Sequence, residues 1–273
     1  MNPDDVASPE SLPTPGAPPP WVADHLLLRR IGKGSFGEVW IALDAMDKWT
    51  AVKVVRPTVA DARAARTLER EFQGLRRYDE VAGGDGNLMP IRSVGWDDGR
   101  QSFHYAMELA DDLVTRRPLP RPASRAEAME IAKAYEPWTL NAELRRRGRL
   151  PASECAAHGI ALAQALEVLA DSRLVHRDIK PANIIFVRGR PKLADVGLIT
   201  SADESCGTMV GTSGFVPIQG LGTTSADLFA LGKVLYQMAS GRPVEDFPKE
   251  PGDFDQFSPQ ERREYAEMRA VFD

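Results

Sequence analysis

The sequence HRDIKPAN at residues 176–183 decides how the rest of the chain is interpreted. It places an acid, a cation and an amide in one short turn, as Asp178, Lys180 and Asn183. An apolar run follows at once, and a further acid, Asp195, comes after a second apolar pair. We therefore predict two short strands with polar groups at their ends, an arrangement that can direct a base and metal ligands at one point.

The side chains around this hairpin share one kind of chemistry. Asp178 can take the proton of a hydroxyl group held at hydrogen-bonding distance, and Lys180 can neutralise a phosphoryl group. Asn183 and Asp195 carry hard oxygen ligands, which suit Mg²⁺ held jointly with phosphates. A merely polar turn explains each residue separately, but it does not explain all four at this spacing together with the motifs upstream.

A glycine-rich turn, GKGSFGEV at residues 32–39, lies upstream of the hairpin. Glycines let backbone amides approach phosphate oxygens without a side chain in the way. The same pattern marks dinucleotide sites, where the third glycine opens a helix, and a plain hairpin turn is the simplest alternative. Here the glycines run into the β-type residues 39–42, so we predict that they bridge two strands.

One lysine interrupts the otherwise apolar strand predicted at residues 51–55, AVKVV. Lys53 at the edge of a sheet would keep its amine in water. The functional alternative pairs it with a nucleotide phosphate and with Glu71, on a helix predicted at residues 60–79. A buried lysine without such partners would lose its charge.

The composition is that of an ordinary globular protein, with 273 residues, 43% apolar and 27% charged. The net charge of −5 argues against nucleic acid as the main partner. No apolar run is long enough to span a membrane, and no signal-peptide pattern begins the chain. Free thiols in a reducing compartment are the simpler interpretation of Cys155 and Cys206, and a disulfide stays open as the alternative.

The order of strands first and helices later predicts an α+β protein with two unequal lobes. We predict a proline-rich disordered leader at residues 1–24, a first lobe with its hinge at 25–110, and a second lobe at 111–273. Residues 111–138 contain prolines that forbid a continuous helix. This stretch could shape the mouth of a nucleotide site or a partner site.

Hydrophobic periodicity predicts the helices of the second lobe. We expect Ile160 and Leu228 on buried helix faces, and Ser258 as the N-cap of the last helix. We interpret RRRGR at residues 145–149 as a solvated helix end, with phosphopeptide binding as the less favoured alternative. The predicted helices are 140–147, 152–172, 225–240 and 259–272.

In order and content, these motifs resemble the protein kinase domain of the eukaryotic type, from about residue 25 to the end of the chain. Lys180, two residues after the aspartate, resembles serine/threonine rather than tyrosine kinases. The AVK motif and the short interval between DVG and GTSGF resemble bacterial members. The resemblance implies a bilobal fold, with a small antiparallel β N-lobe carrying one helix and a larger, mainly helical C-lobe. The matching motifs are GKGSFGEV at 32–39, AVK at 51–53, HRDIKPAN at 176–183 and DVG at 195–197.

The resemblance also implies a role for each motif residue. Asp178 would be the base, Lys180 would contact the γ-phosphate, and Lys53 would bind the α- and β-phosphates while pairing with Glu71. The implied catalytic residues are Asp178, Lys180, Lys53 and Glu71, and the implied ligands of Mg²⁺, or of Mn²⁺, are Asn183 and Asp195. The implied ATP-binding residues are Gly32, Lys33, Gly34, Ser35, Gly37, Val39, Ala51, Lys53, Met107, Glu108 and Ala110.

Further residues acquire supporting roles by the same resemblance. Asp227 would anchor a hydrophobic spine, and Thr212 would orient Asp178 and Lys180. Arg177 is typical of kinases that are switched by a phosphate on the activation loop. The spine would consist of Leu75, Ile91, Val196 and His176, and the candidate phosphorylation sites are Thr200, Ser201, Ser205 and Thr208.

The function implied is a cytoplasmic serine/threonine protein kinase, or the cytoplasmic part of a longer protein, that transfers the γ-phosphate of ATP to protein hydroxyls, its own included. Two features favour a pseudokinase, which would hold a nucleotide or a partner without turnover. Gln219 stands where the family has a glutamate, and the last helices of the fold are expected to be missing after Asp273. Phosphorylation of a small molecule is a third alternative.

Overall fold

The structure is a computed structural model that describes residues 20, 22–34, 37–56, 62–83, 86–97, 102–201, 212–217 and 222–272. Most of the predicted leader lies outside these ranges, but Val22 is buried and pairs with His25, so ordered structure begins before residue 25. The predicted domain boundaries otherwise stay predictions. Ser35, Ser205, Cys206, Thr208 and Gln219 lie outside the described residues.

In the described part of the N-lobe, five antiparallel strands form one sheet that a long helix accompanies. The strand order is β1-β2-β3-β5-β4. The middle strand is buried along almost its whole length, which explains why its sequence is mostly apolar apart from Thr50 and Lys53. The helix packs through Leu68, Leu75 and Tyr78, which are all buried. The elements are β1 (His25–Gly34), β2 (Gly37–Asp44), β3 (Trp49–Val55), α1 (Ala62–Ala82), β4 (Ile91–Asp97) and β5 (Ser102–Met107).

The C-lobe is mainly helical, and its central helices α4 and α5 pack against each other in the core. The hairpin predicted from HRDIKPAN is present as two short antiparallel strands, β7 and β8. The elements are α2 (Arg125–Ala134), α3 (Leu140–Arg147), α4 (Ala152–Asp171), β6 (Leu174–Val175), β7 (Ile184–Val187), β8 (Arg190–Leu193), β9 (Thr200–Ser201), α5 (Thr224–Ser240) and α6 (Pro259–Phe272).

Side-chain caps fix where several of these helices begin. Thr139 accepts a hydrogen bond from the Ala142 amide at the start of α3, and Gly148 ends that helix with a positive φ. Ser258 and Glu261 form a reciprocal capping box at the start of α6, as each side chain accepts from the other's backbone amide. The predicted N-cap and the predicted bounds of both helices are confirmed.

Two predictions of helix burial are wrong, because Ile160 and Leu228 are 62% and 55% exposed. Helix α4 is so rich in alanine that its periodicity does not mark a single face. Its buried side runs instead through positions 155, 159, 162, 166 and 169. In α5 the polar residue Asp227 faces the core, and this orientation turns Leu228 outward.

A helix that the sequence analysis missed lies in the irregular stretch 111–138. Helix α2 begins directly after the prolines, where Ser124 accepts a hydrogen bond from the Glu127 amide and the Glu127 side chain accepts one from the Ala123 amide. That S-x-x-E pattern was the available signal. Within the described residues, no helix combines the length and the apolar character needed to cross a membrane.

Candidate active site

The turn that carries the catalytic motif is stabilised by a carboxylate that accepts two of its backbone hydrogen bonds. Asp227, on α5, accepts hydrogen bonds from the backbone amides of His176 at 2.6 Å and Arg177 at 2.8 Å. Arg177 has a φ of 71°, a left-handed conformation that needs support from its surroundings. The predicted anchoring role of Asp227 is therefore confirmed. Burial raises the pKa of Asp227, and His176 and the two amides oppose that rise.

Both carboxylate oxygens of Asp178 are engaged. Oδ1 accepts from the Thr212 hydroxyl at 2.8 Å, while Oδ2 accepts from Asn183 Nδ2 at 2.7 Å and pairs with Lys180 Nζ at 2.8 Å. Lys180 also donates to Thr212 Oγ1 at 2.9 Å. The prediction that Thr212 orients Asp178 and Lys180 is confirmed. The network holds an acceptor and a cation side by side, which is the arrangement that a hydroxyl and an incoming phosphoryl group require.

The pairing predicted between Lys53 and Glu71 is not the one that the structure shows. Lys53 is only 3% exposed, and its ammonium forms an ion pair with Asp195. Glu71 is close by, but its buried Oε2 has no hydrogen-bond partner among the described residues. One cation is thus shared between two nearby carboxylates, of which Asp195 makes the direct contact.

The pKa values follow from this competition. Burial would raise the pKa of Asp195, but the Lys53 ammonium outweighs it and holds that pKa below its usual value. Burial also opposes the charge on Lys53, yet Asp195 helps to raise the pKa of the lysine. For Glu71, burial raises the pKa to about 8, with Lys53 opposing and the negative charge of Asp195 adding to the rise. At neutral pH, therefore, Lys53 and Asp195 are charged, and Glu71 is mostly protonated.

We expect Glu71 to make stability depend on pH. Its pKa is about 8 in the folded chain and 4.5 ordinarily, so between these values the folded state binds more protons than the unfolded state. The free energy of unfolding therefore falls as pH rises from 4.5 to 8, with a slope of up to about 1.4 kcal/mol per pH unit. Glu71→Gln stays neutral and lacks this slope. Denaturant unfolding of both proteins at several pH values measures the difference.

The matched control is Glu69→Gln, which changes an exposed glutamate on the same helix that is hydrogen-bonded to Gln73. It should keep the wild-type slope. If the free energies of unfolding of the wild type and of Glu71→Gln changed in parallel across this pH range, the raised pKa of Glu71 would be contradicted.

A cleft of about 310 Å³ between the lobes collects the predicted nucleotide-binding residues. Lys53, Lys180, Asn183 and Asp195 face it from both lobes. The predicted residues Gly32, Lys33, Gly34, Gly37, Val39, Ala51, Met107, Glu108 and Ala110 also line it. The cleft has further lining residues that the sequence analysis missed, namely Ile31, Leu109, Tyr135, Pro137, Thr139, Ala182, Ile185 and Ala194.

The two predicted metal ligands suit a hard divalent cation. The side-chain nitrogen of Asn183 donates to both the carbonyl and the carboxylate of Asp178, at 2.8 and 2.7 Å, which leaves its side-chain oxygen as a ligand. Asp195 uses Oδ1 for Lys53. Its side chain remains 33% exposed, and both ligand residues line the cleft. An amide oxygen and a carboxylate are oxygen ligands of the kind that Mg²⁺ prefers.

The predicted spine lies in the core between α1 and the catalytic turn. Leu75, His176 and Val196 are buried, and Ile91 is half-buried against the same cluster. His176 Nε2 donates to the carbonyl of Ala194 at 3.1 Å, which ties the turn to the strand before DVG. Val196 is 1% exposed, so the smaller residue in the middle of DVG still fills its site.

A glycine in α1 sets how closely that helix approaches the site. A Cβ added at Gly74 would lie 2.1 Å from the carbonyl oxygen of Ile199, just after DVG. No larger residue fits unless one of the two segments shifts. The sequence analysis missed Gly74, although an isolated glycine inside a helical pattern is a recognised signal of close packing.

The side chain of Glu108, at the hinge, is held by two cations. It pairs with Arg92 on β4 and with Lys192 on β8, each at 3.4 Å. Lys192 is buried and also donates to the carbonyl of Leu88 at 3.1 Å.

The arginine run at residues 145–149 is not simply solvated. Arg147 makes two hydrogen bonds to Glu154, at 2.6 and 2.9 Å, and another to the buried Glu143. Arg149 lies 4.2 Å from the centre of the Phe257 ring and pairs with Asp253. These contacts tie α3 to α4 and to the chain near α6. The prediction of a solvated helix end therefore holds for the exposed Arg145 and Arg146, and it is corrected for Arg147 and Arg149.

A scan against family models matches the protein kinase domain over residues 121–267, which is more than half of the chain. The chain belongs to the protein kinase family. This match lies entirely within the C-lobe and includes the catalytic turn and DVG. Together with the N-lobe sheet and the helical C-lobe, it confirms the predicted family and fold class. Kinases of this family use ATP and a divalent metal ion.

Three of the relatives are bacterial serine/threonine kinases. PknA of Corynebacterium glutamicum is 30% identical over 236 residues, which cover 81% of this chain and 44% of that protein. The kinase drp72 of Corynebacterium efficiens is 32% identical over 235 residues, or 80% and 39% of the two chains. The probable kinase PknB of Bifidobacterium longum is 30% identical over 227 residues, or 78% and 29%. The prediction of a serine/threonine protein kinase domain is confirmed, and the chain spans less than half the length of these relatives.

Proposed function

We propose that this chain transfers the γ-phosphate of ATP to serine and threonine hydroxyl groups of proteins. The observation that carries the proposal is the hydrogen-bonded group of Asp178, Lys180 and Thr212, next to a cleft that also contains the Lys53–Asp195 ion pair. A phosphate-binding cation and metal ligands thereby line one cleft, and the base that pairs with that cation lies beside it.

Asp178 would bind the hydroxyl group of the substrate and receive its proton. Its carboxylate is fixed by donors on both oxygens, so the side chain does not have to reorganise when the hydroxyl arrives. Lys180, paired with Asp178 at 2.8 Å, would place its positive charge next to the transferred phosphoryl group. This geometry favours attack by a hydroxyl over simple storage of a nucleotide.

Lys53 would contact the α- and β-phosphates, because it lines the cleft together with Gly34 and Gly37 of the glycine-rich turn. Asn183 and Asp195 would hold Mg²⁺, with Mn²⁺ as a substitute of similar ligand preference. The metal would neutralise charge on the phosphates. Asp195 is suited to this role because its lowered pKa keeps it ionised at neutral pH.

The test is transfer of phosphate to protein. We expect the chain, incubated with Mg²⁺ and ATP, to gain phosphate on serine or threonine residues of itself or of a general acceptor protein, as read by mass spectrometry. Chelating the metal with EDTA should stop the reaction, and Mn²⁺ should restore it. Thermal stabilisation by ATP without any transfer would favour a pseudokinase, and transfer only to small hydroxyl compounds would favour the third alternative.

Protein substrates and a cytoplasmic location belong to the same proposal. ATP and thiol-reducing conditions coincide in the cytoplasm, and Cys155 is free and buried, as a reduced structural thiol would be. Burial raises the pKa of Cys155 to about 12, so the thiol is unreactive at neutral pH.

A further inference from the structure

The segment 111–138, which follows the hinge, is firmly rooted in the C-lobe. Asp111 accepts a hydrogen bond from the Gly189 amide at 2.8 Å, and its backbone amide donates to Phe186 on β7. Asp112 is 6% exposed and accepts from the amides of Thr115 and Glu136, at 2.8 and 3.3 Å. The two ends of the segment are thereby held together, and the chain between them projects as one unit.

That unit also contacts the N-lobe, through side chains that donate to backbone carbonyls. Arg29 on β1 donates to Ala132 at 2.6 Å and also to Tyr135. Trp49 on β3 donates to Pro120 at 2.7 Å. A fourth hydrogen bond runs the other way, from the segment's Arg121 to the carbonyl of residue 46 at 3.1 Å. The segment therefore bridges the two lobes.

An apolar cluster accompanies these hydrogen bonds. Ile41 on β2, Ala132 on α2 and Tyr135 are 0%, 1% and 3% exposed. Opening the lobes at the hinge would have to expose this cluster as well as break the hydrogen bonds. Half-buried residues that pack around it are Leu28, Ile31, Trp49, Leu109 and Leu119.

Tyr135 brings the segment into the nucleotide cleft itself. Tyr135 and Pro137 both line the cleft. The Tyr135 hydroxyl donates to the carbonyl of the hinge residue Ala110 at 3.0 Å. Burial raises the pKa of Tyr135, with Asp112 and Asp111 adding to the rise, so the hydroxyl stays protonated and remains a donor. A wall of the cleft is thus provided by a residue that no sequence motif of the site contains.

We propose that Tyr135 is a nucleotide-binding residue of this kinase, and that Arg29 positions it by holding segment 111–138 against the N-lobe. The inference rests on the proposed function, because it presumes that the cleft binds ATP and releases ADP. Kinase lobes open to release the product. Here the contacts between segment 111–138 and the N-lobe form a bridge that opposes this opening. The bridge should therefore lower the rate of nucleotide dissociation more than it changes the rate of association.

The test uses Arg29→Met in the whole chain, with stopped-flow release of a fluorescent ADP analogue. Methionine keeps most of the side-chain volume and removes both donors. We expect the dissociation rate to rise about tenfold, as for the loss of hydrogen bonds from a charged donor, with an association rate within about twofold of wild type. The control is Lys133→Met, which removes a 62% exposed cation from α2 whose partner, Glu130, lies on the same helix. It should release the analogue at the wild-type rate.

Thermal melting shows whether Arg29→Met is folded. Trp49→Phe provides a second, milder variant, since it keeps an aromatic ring and removes one donor; a smaller rise in the dissociation rate is expected. Wild-type rates in both folded variants, in a chain that binds the analogue, would overturn the role of the bridge and leave the proposed function standing. A wild-type chain that binds no nucleotide would overturn the proposed function itself.

Discussion

Asp178→Asn is expected to lower the rate of phosphate transfer by roughly a thousandfold, within the range that positioned proton transfer contributes. The amide cannot take a proton from the substrate hydroxyl. It also replaces one acceptor with a donor, in a site where Thr212, Asn183 and Lys180 all donate. Initial rates with labelled ATP at saturation measure the loss. Nucleotide affinity, measured by fluorescence, should stay within about twofold, because Asp178 does not line the cleft.

The matched control for this substitution is Asp171→Asn, at the exposed end of α4. It removes the same charge from the C-lobe without touching the catalytic turn, so its transfer rate should equal that of the wild type. If Asp178→Asn transferred phosphate as fast as Asp171→Asn, Asp178 would not be the base, and the proposed mechanism would have to be abandoned.

The catalytic turn could be predicted from the sequence because its parts are close together in the chain. Asp178, Lys180 and Asn183 occur within six positions, so one local backbone conformation brings them together. Thr212 lies 34 residues from Asp178, yet the family resemblance placed it correctly. The local backbone conformation of a contiguous motif fixes the relative positions of its side chains. For this reason, this half of the site agrees with the prediction.

The charge distribution in the other half could not be predicted, because it depends on a balance among three distant residues. Lys53, Glu71 and Asp195 are the residue types that the family resemblance implies. The sequence does not show which of the two carboxylates forms the ion pair with Lys53. Burial and like-charge repulsion decide it: a second ionised carboxylate beside Asp195 costs more in a buried site than a protonated one.

The interlobe contacts of segment 111–138 were invisible in the sequence for a different reason. Their acceptors are backbone carbonyls of residues such as Pro120, Ala132 and Tyr135. Every residue carries that acceptor, so no pattern of side chains marks the contact. The donors Arg29 and Trp49 gave no signal either, since an arginine and a tryptophan on a strand of a small sheet are ordinary surface residues.

Lys53→Met is expected to lower kcat/KM for ATP by about a hundredfold to a thousandfold, the usual effect of removing one charge-stabilising group. Two losses combine. The phosphates lose a cation that is 3% exposed and therefore little screened by water. Asp195 loses the ammonium that lowers its pKa, and burial then raises that pKa. The metal ligand is consequently protonated over a wider pH range, so metal binding weakens along with nucleotide binding.

Initial rates measured against ATP concentration from about pH 6 to pH 9 separate the two losses. The lost phosphate contact should raise KM at every pH, whereas the raised pKa of Asp195 should move the acid limb of the profile to higher pH. Lys192→Met is the matched control: it removes a lysine that is also buried on a short strand, but that does not line the cleft and whose amine contacts Leu88 and Glu108. An unshifted acid limb in Lys53→Met would show that the lysine does not tune Asp195. An unchanged KM would show that it does not bind the phosphates.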